Sequence, residues 1–172
     1  MNRIGLGYDS HRFAAGRRLV LGGVEVSTPD GRGLAGHSDA DAVLHALTDA
    51  ILGAAGAGDI GEHFLDTDAR WRDADSSIFV RRAVELAAGA GYRAGNCDVT
   101  VIAESPRLSP YKPAMRKRIA ELLGIGLDAV SVKAKTGEGM GWIGRGEGIA
   151  ALAAVSLIPK PRRAQKQKPR KR

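Results

Sequence analysis

The chain opens on an alternating stretch, Ile4-Gly5-Leu6-Gly7-Tyr8-Asp9-Ser10-His11, in which apolar Ile4, Leu6 and Tyr8 interleave with glycine, acid and imidazole. Period two is the mark of a strand and predicts β-structure over about residues 2–9. Residues 19–26 predict one or two short strands broken at Gly22-Gly23, and Thr28-Pro29-Asp30-Gly31 predicts a turn. The period then lengthens. Leu44, Leu47, Ile51 and Ala54 recur at helical spacing and predict a helix from about residue 38 to 55. Ser38 is its expected N-cap, with Asp41 completing a capping box. The opposite stripe, Asp41, His45 and Asp49, places His45 between two carboxylates on the polar face. A second helix is predicted over 76–88, begun by Asp75 and Ser76 and stopped by Gly89 and Gly91. A third is predicted over 111–123, with Pro113 in its first turn. Strands are predicted at 98–103, 129–135 and 149–157. This order describes an α+β, or mixed α/β, single domain. The expected architecture is a mostly four-stranded mixed sheet packed by about three helices, plus a short N-terminal hairpin.

Composition changes the picture at the C-terminus. The 172 residues hold 26 Lys and Arg against 19 Asp and Glu, a formal charge of +7. Eight of the basic residues and no acid fall within 160–172, so residues 1–159 carry 18 basic against 19 acidic residues. The domain is therefore expected at 1–159 and is near neutral. The tail at 160–172 is expected to be disordered, because Pro, Gln, Lys and Arg cannot bury apolar surface. Weak polyanion binding and a merely solvated extension both fit it. The single cysteine, Cys97, excludes an intrachain disulfide and a cysteine-based zinc site. Met1-Asn2-Arg3 runs straight into the first strand, and no apolar run approaches membrane-spanning length. A soluble, cytoplasmic protein with no membrane partner is expected.

The candidate chemistry begins with Asp9 and His11. Residues two apart on a strand face one way, so these two side chains share a side. With His45 they make a plausible three-ligand zinc set that leaves one coordination position open. In isolation an Asp-x-His pair fits a solvated loop equally well, and His45 fits a surface helix. The other feature is the stretch from Thr136 to Gly148, with six glycines between 137 and 148. It lacks the Lys-Ser/Thr ending of a P-loop and is not expected to open a helix. Its backbone N–H groups suit phosphate oxygens, Thr136 offers a hydroxyl, and Glu138 offers a hard oxygen ligand for Mg²⁺. A flexible turn between strands is the plainer reading.

Six motifs appear in order: Gly-Tyr-Asp-Ser-His at 7–11, His-Ser-Asp-Ala-Asp at 37–41, Leu-His-Ala-Leu-Thr-Asp at 44–49, Gly-Asp-Ile-Gly at 58–61, Asp-Thr-Asp at 66–68 and Gly-Arg-Gly-Glu-Gly at 144–148. With them the chain resembles the 2-C-methyl-D-erythritol 2,4-cyclodiphosphate synthase family of non-mevalonate isoprenoid synthesis, over about residues 2–158. The resemblance implies zinc held by Asp9, His11 and His45, and a second cation, Mg²⁺ or Mn²⁺, held by Glu138 and the substrate phosphates. It implies that the 2-phosphate of 4-diphosphocytidyl-2-C-methyl-D-erythritol 2-phosphate attacks the β-phosphorus, releasing CMP and closing a cyclic diphosphate. His37 and Thr136 are its implied catalytic residues, and Ser38 and Arg145 further phosphate contacts. Asp59 and Gly61 are implied at the ribose, with Ile60 between them. Phe64, Leu65, Asp66, Thr67 and Asp68 are implied along the erythritol, and Ala103, Glu104, Ser105, Pro106, Arg107, Leu108 and Ser109 around the cytosine. Ser10, Lys135, Gly137 and Trp142 complete the implied substrate-binding set. The family's assembly is a homotrimer with active sites between subunits and an apolar channel closed by Arg145 and Glu147.

Some positions depart from that pattern. Lys135 stands where Thr or Ser is frequent, Leu65 where Pro is common, Trp142 where Phe is usual and Arg107 where Lys is familiar. None removes an implied metal ligand. Two other classes remain open on residues alone: a zinc phosphohydrolase using water as nucleophile, and an RNA-binding module working through the tail. The body holds no cluster of exposed aromatics for stacking bases.

Overall fold

The computed structural model describes residues 1–161. The expected tail therefore lies almost wholly outside the described residues. The long strands are β1 (Arg3–Ala14), β5 (Tyr92–Ile102), β6 (Val130–Lys135) and β7 (Gly148–Pro159). Short strands β2 (Leu19–Leu21) and β3 (Val24–Val26) form a separate hairpin, turning at the Gly22-Gly23 pair. The two-residue strand β4 (Gly33–Leu34) adds a fifth member to the main sheet, whose order is β4-β1-β7-β5-β6. Four strands were expected. The pairing of Leu34 with Phe13 supplies the extra one, and two residues are too few to show a period. All pairs are antiparallel except β5 with β6. That parallel pair is joined through helix α4 (Lys112–Leu123), as a crossover connection requires.

Three helices of 12 or more residues cover one face of the sheet: α1 (Ala42–Ala55), α3 (Ser77–Gly89) and α4. Helix α1 packs on β1 and β7, α3 on α1 and β5, and α4 on β6. Between the layers lie Leu44, Leu47, Ile51, Val99, Ile119 and Val155, all buried. Cys97 is in the same core. Two single-turn helices, α2 (Ile60–His63) and α5 (Gly141–Gly144), were not expected. The second lies inside the glycine-rich stretch, which does fold one helical turn.

Helix α1 begins four residues later than Ser38. Its N-cap is Asp41, whose Oδ1 accepts from the N–H groups of Val43 and Leu44 at 3.0 Å each. The same carboxylate accepts from Gly22 N–H at 2.8 Å and Gly23 N–H at 2.6 Å, tying the β2–β3 hairpin to the helix start. Asp41 is thus fully buried and not part of a polar face. A capping acid buried under a hairpin has no separate signature in spacing.

What seats α1 on the sheet is the pair Gly5 and Gly7. A Cβ at Gly7 would fall 1.9 Å from the Ala46 carbonyl oxygen, and one at Gly5 would fall 1.9 Å from that of Ala50. Strand and helix backbones therefore touch with no side chain between them. Gly53, by contrast, lies in α1 with nothing within 4 Å of its missing Cβ. Two substitutions separate these roles. Gly7→Ala is expected to lower stability by more than about 3 kcal/mol, beyond ordinary overpacking, because both clashing partners are backbone. Gly53→Ala is expected to raise it by about 0.5–1 kcal/mol through helix propensity. Thermal and denaturant unfolding of both variants check the pair.

Candidate metal centre and substrate clefts

Gly7 also fixes the site. It sits two residues before Asp9, and Ala46, which it touches, follows His45. The backbone contact that joins the two elements therefore brings His45 over the inner face of β1. Asp9 Oδ2 lies 2.9 Å from His11 Nε2 and 3.0 Å from His45 Nδ1. The two imidazole nitrogens are 3.2 Å apart. One donor atom from each of the three residues falls within 4.8 Å of the others. Tetrahedral zinc with bonds near 2.0 Å has donor–donor edges of about 3.3 Å, so the set needs to open only slightly to take such an ion.

The protonation pattern fits a cation. Burial resists ionisation of Asp9, yet hydrogen bonds and charges from His11 and His45 outweigh it and hold the carboxyl well below its ordinary range. Burial also resists a charged His11, but the Asp9 hydrogen bond and charge, with the Ala35 carbonyl, raise the imidazole above its ordinary pKa. The pocket favours positive charge at the point where the three donors meet. A divalent ion displaces a proton from such a set. One carboxylate and two imidazoles suit a divalent transition metal.

Each ring is oriented from behind. His11 Nδ1 donates to the Ala35 carbonyl at 2.7 Å, which leaves Nε2 toward Asp9. His45 Nε2 meets the hydroxyls of Ser76 at 2.8 Å and Ser38 at 3.1 Å. The carboxylates expected to flank His45 do neither job. Asp41 caps the helix, and Asp49 accepts from Ile60 N–H at 2.7 Å. Helical spacing placed them near His45 in projection, but their oxygens are committed to backbone donors.

His11 and His45 open onto a cavity of about 350 Å³. Its other walls include His37, Ser38, Ile60, Gly61, Phe64, Leu65 and Asp66, all expected at the substrate. Trp71 and Phe79 also line it and were not anticipated there. Phe64 stacks on Phe79 with ring centroids 4.5 Å apart and meets Trp71 edge-on at 5.3 Å. Phe79 was legible only as an apolar position of its helix, and Trp71 ends a single 3-10 turn, Ala69–Trp71, too short to show a period. Around this wall, Asp59 caps α2 by accepting from Glu62 N–H at 3.0 Å. His37 Nε2 donates to the Asp68 carbonyl at 2.9 Å, while the Asp68 carboxylate is paired with Arg70 at 2.6 Å. Thr67 is exposed in the same loop.

A second cleft of about 250 Å³ gathers Ala103, Glu104, Pro106, Arg107, Leu108, Ser109, Lys135 and Thr136. Ser105 precedes Pro106 in the same turn. Gly137 N–H donates to Glu104 Oε2 at 3.0 Å, fastening the glycine-rich loop to it. Glu138 has φ 51°, a left-handed conformation costly for a side-chain-bearing residue. Thr136 Oγ1 donates to its Oε1 at 2.8 Å. Arg145 pairs with Glu147 at 2.6 Å.

The two clefts share no residue. Asp9 pairs with Ala151, Ala151 with Val101, and Val101 with Ala134. The clefts are thus three strand spacings apart across the sheet, about 14 Å. Ser10 joins neither, because it faces away from Asp9 and His11 on β1. Glu138, Trp142 and Arg145 lie on the glycine-rich loop and line neither cleft.

Residues 2–158 match the YgbB family. The 2-C-methyl-D-erythritol 2,4-cyclodiphosphate synthase of Symbiobacterium thermophilum is 60% identical over 155 residues, covering 90% of this chain and 97% of that one. The bifunctional enzyme IspD/IspF of an Anaeromyxobacter species is 57% identical over 155 residues, covering 90% of this chain and 39% of its own length. The chain thus spans about two fifths of that bifunctional relative. A solved 2C-methyl-D-erythritol-2,4-cyclodiphosphate synthase in a CDP-bound form superposes with a TM-score of 0.82 at 38% identity, covering 91% of this chain and 100% of that one. The metal-ready triad, the fold around it and these likenesses agree: the chain belongs to the YgbB family.

Proposed function

We propose that this protein is a metal-dependent cyclodiphosphate synthase of the non-mevalonate isoprenoid pathway. It converts 4-diphosphocytidyl-2-C-methyl-D-erythritol 2-phosphate into 2-C-methyl-D-erythritol 2,4-cyclodiphosphate and CMP. The observation that carries this reading is the Asp9, His11 and His45 triad beside an open cavity, in a chain of this family. An oxygen of the 2-phosphate forms a bond to the β-phosphorus while the bond from that phosphorus to the CMP oxygen breaks. The nucleophile is already an anion, so no strong base is needed. The barrier is charge crowding and ring closure, which positioning and local electrostatics lower.

Asp9, His11 and His45 would hold zinc, which would supply Lewis acidity toward the diphosphate oxygens, and Glu138 would hold Mg²⁺ or Mn²⁺, which would neutralise the phosphates further. His37 and Ser38 reach the phosphates from the triad side, and Thr136, Lys135, Gly137 and Arg145 from the other. Phe64, Leu65, Asp66, Thr67 and Asp68 enclose the erythritol. Asp59, Ile60 and Gly61 meet the ribose. The cleft from Ala103 to Ser109 takes the cytosine, and the CDP-bound form of the solved relative is in keeping with a nucleotide ligand. Ser10 and Trp142 complete the contacts.

The working assembly is a homotrimer with each active site shared between neighbours. Two observations support this. The triad and the 103–109 cleft are about 14 Å apart in one chain, so a partner's cleft supplies the missing half. The sheet face away from the helices is also uncovered, leaving Ile4 81%, Leu6 69% and Tyr8 53% exposed. Apolar rows of this kind are usually buried by a partner. Three copies facing inward enclose an apolar channel with Arg145 and Glu147 at its end. The helices of the described residues include none long and apolar enough to cross a membrane, in keeping with a cytoplasmic enzyme.

Incubation of the purified protein with the diphosphocytidyl substrate and Mg²⁺ is expected to yield CMP and the cyclic diphosphate in equal amounts. Release of inorganic phosphate or diphosphate in their place refutes the reading and favours a phosphohydrolase. His45→Ala is expected to purify without zinc, and full occupancy by elemental analysis would rule out the ligand set.

Glu138→Gln is expected to retain zinc yet lose about two orders of magnitude in turnover, the scale of removing one charge contact in the transition state. An unchanged magnesium dependence would make Glu138 a loop residue only. A chain ending at Pro159 is expected to fold, assemble and turn over normally, and to lose salt-sensitive retention on polyanion resin. Failure of the truncated chain to assemble would show that the tail docks on the body.

A further inference from the structure

Behind His45 lies a chain of polar contacts with no part in the reaction as described. Ser76 Oγ, 2.8 Å from His45 Nε2, donates its proton to Asp39 Oδ1. Asp39 also accepts from two backbone donors. Its Oδ2 accepts from Ser76 N–H at 3.1 Å, and its Oδ1 accepts from Asp41 N–H at 3.2 Å. Two backbone bonds clamp the loops that carry these residues: Asp39 N–H to the Ala74 carbonyl at 3.1 Å, and Asp73 N–H to the His37 carbonyl at 2.8 Å. Arg17 braces the pair from outside, bridging the Ser38 carbonyl and the Asp73 carboxylate.

The direction of each proton follows from chemistry. A carboxylate only accepts, so the one hydroxyl proton of Ser76 is committed to Asp39. The Ser76 oxygen is then an acceptor toward His45. Nε2 donates to this nearer oxygen at 2.8 Å, with Ser38 Oγ at 3.1 Å as a second partner of the same nitrogen, and Nδ1, the atom facing Asp9 and His11, keeps its lone pair for a cation. Ser76 is fully buried, so water cannot replace the missing contact if the hydroxyl is removed.

We propose that Asp39, acting through the Ser76 hydroxyl, is the positioning residue that sets the tautomer and ring orientation of His45 at the metal site. This rests on the zinc reading given above, and it assigns a task to two residues outside the ligand set. Asp39 does not touch the ion or the substrate. It fixes which nitrogen is free, and through the Ser76 N–H it fixes where the hydroxyl stands.

The test uses the full chain in wild-type, Ser76→Ala and Asp39→Asn forms. Zinc affinity is read by competition with a chromophoric chelator, and the His45 tautomer by long-range ¹H–¹⁵N spectra of the zinc-free protein, where Asp9 at Nδ1 and Ser76 at Nε2 compete for the ring proton. Both variants are expected to bind zinc about 10–100-fold more weakly, the usual effect of losing a residue behind a ligand histidine. The wild-type spectrum is expected to show a protonated Nε2, and that signature is expected to weaken or mix in the variants. A residue that merely supports the fold moves neither readout once the protein is folded. If Asp39→Asn fails to fold, Ser76→Ala decides alone, since it removes one oxygen and adds no volume. Wild-type zinc affinity and tautomer in folded Ser76→Ala overturn the proposal. Wild-type protein that takes no zinc overturns the metal reading instead, so the two failures are distinguishable.

Discussion

The contact on which the rest depends is the meeting of two backbones without side chains, where α1 lies on Gly5 and Gly7 of β1. Most helix–sheet packing is set by interdigitating side chains at about 10 Å separation, and the layers then have some freedom to slide. Here the Ala46 and Ala50 carbonyls rest against glycine, so sliding by even a fraction of a turn brings Cβ atoms into collision. Depth and register are both fixed. The same two glycines face inward on the strand that carries Asp9 and His11, and the same turn of helix carries His45. The core contact and the metal site are one geometric decision. Evolution of either therefore constrains the other.

Much of this was legible in the chain. Alternation around Asp9 and His11 put both on one side of a strand, and the helical period placed His45 on the first long helix. The six ordered motifs converted separate weak signals into one family. Other parts were hidden for physical reasons. Helical spacing showed Asp41 and Asp49 beside His45, but spacing does not reveal that backbone donors have already claimed their oxygens. The start of α1 was misplaced because Ser38 and Asp41 are both good caps, and only the β2–β3 hairpin decides between them. Ser10 illustrates the opposite limit. It lies inside a motif but faces away from its neighbours, since adjacent strand residues must. By sequence Ser76 reads as a helix start and Asp39 as a first-turn residue of the predicted first helix, and their link to His45 exists only once two loops are clamped together.

The division of the clefts has a similar origin. A single sheet with helices on one side can place functional loops at the same level of neighbouring strands, but each added strand costs about 4.8 Å. With β7 and β5 between β1 and β6, the triad and the 103–109 cleft stand three strands apart in one chain, and on the proposed reading a neighbour's cleft completes the site. The proposed association through the uncovered sheet face would answer both features at once. Assembly on this reading is part of building the site and not an addition to a finished enzyme.

Charge explains why the site must be built so locally. Residues 1–159 carry 18 basic and 19 acidic residues, so the body presents no broad positive field to a substrate with several phosphate charges. Long-range steering is therefore weak, and neutralisation has to come at contact distance. The triad answers this at one end, because its protons already sit where a cation is favoured, with Asp9 held ionised and His11 inclined to charge. At the other end Glu138 is held in a strained left-handed conformation with its carboxylate aimed by Thr136. On the proposed reading, two cation positions set by local geometry stand in for one diffuse basic surface. In the proposed reaction, fixed point charges align one phosphate on another, whereas a diffuse field binds the anion without choosing its nucleophile.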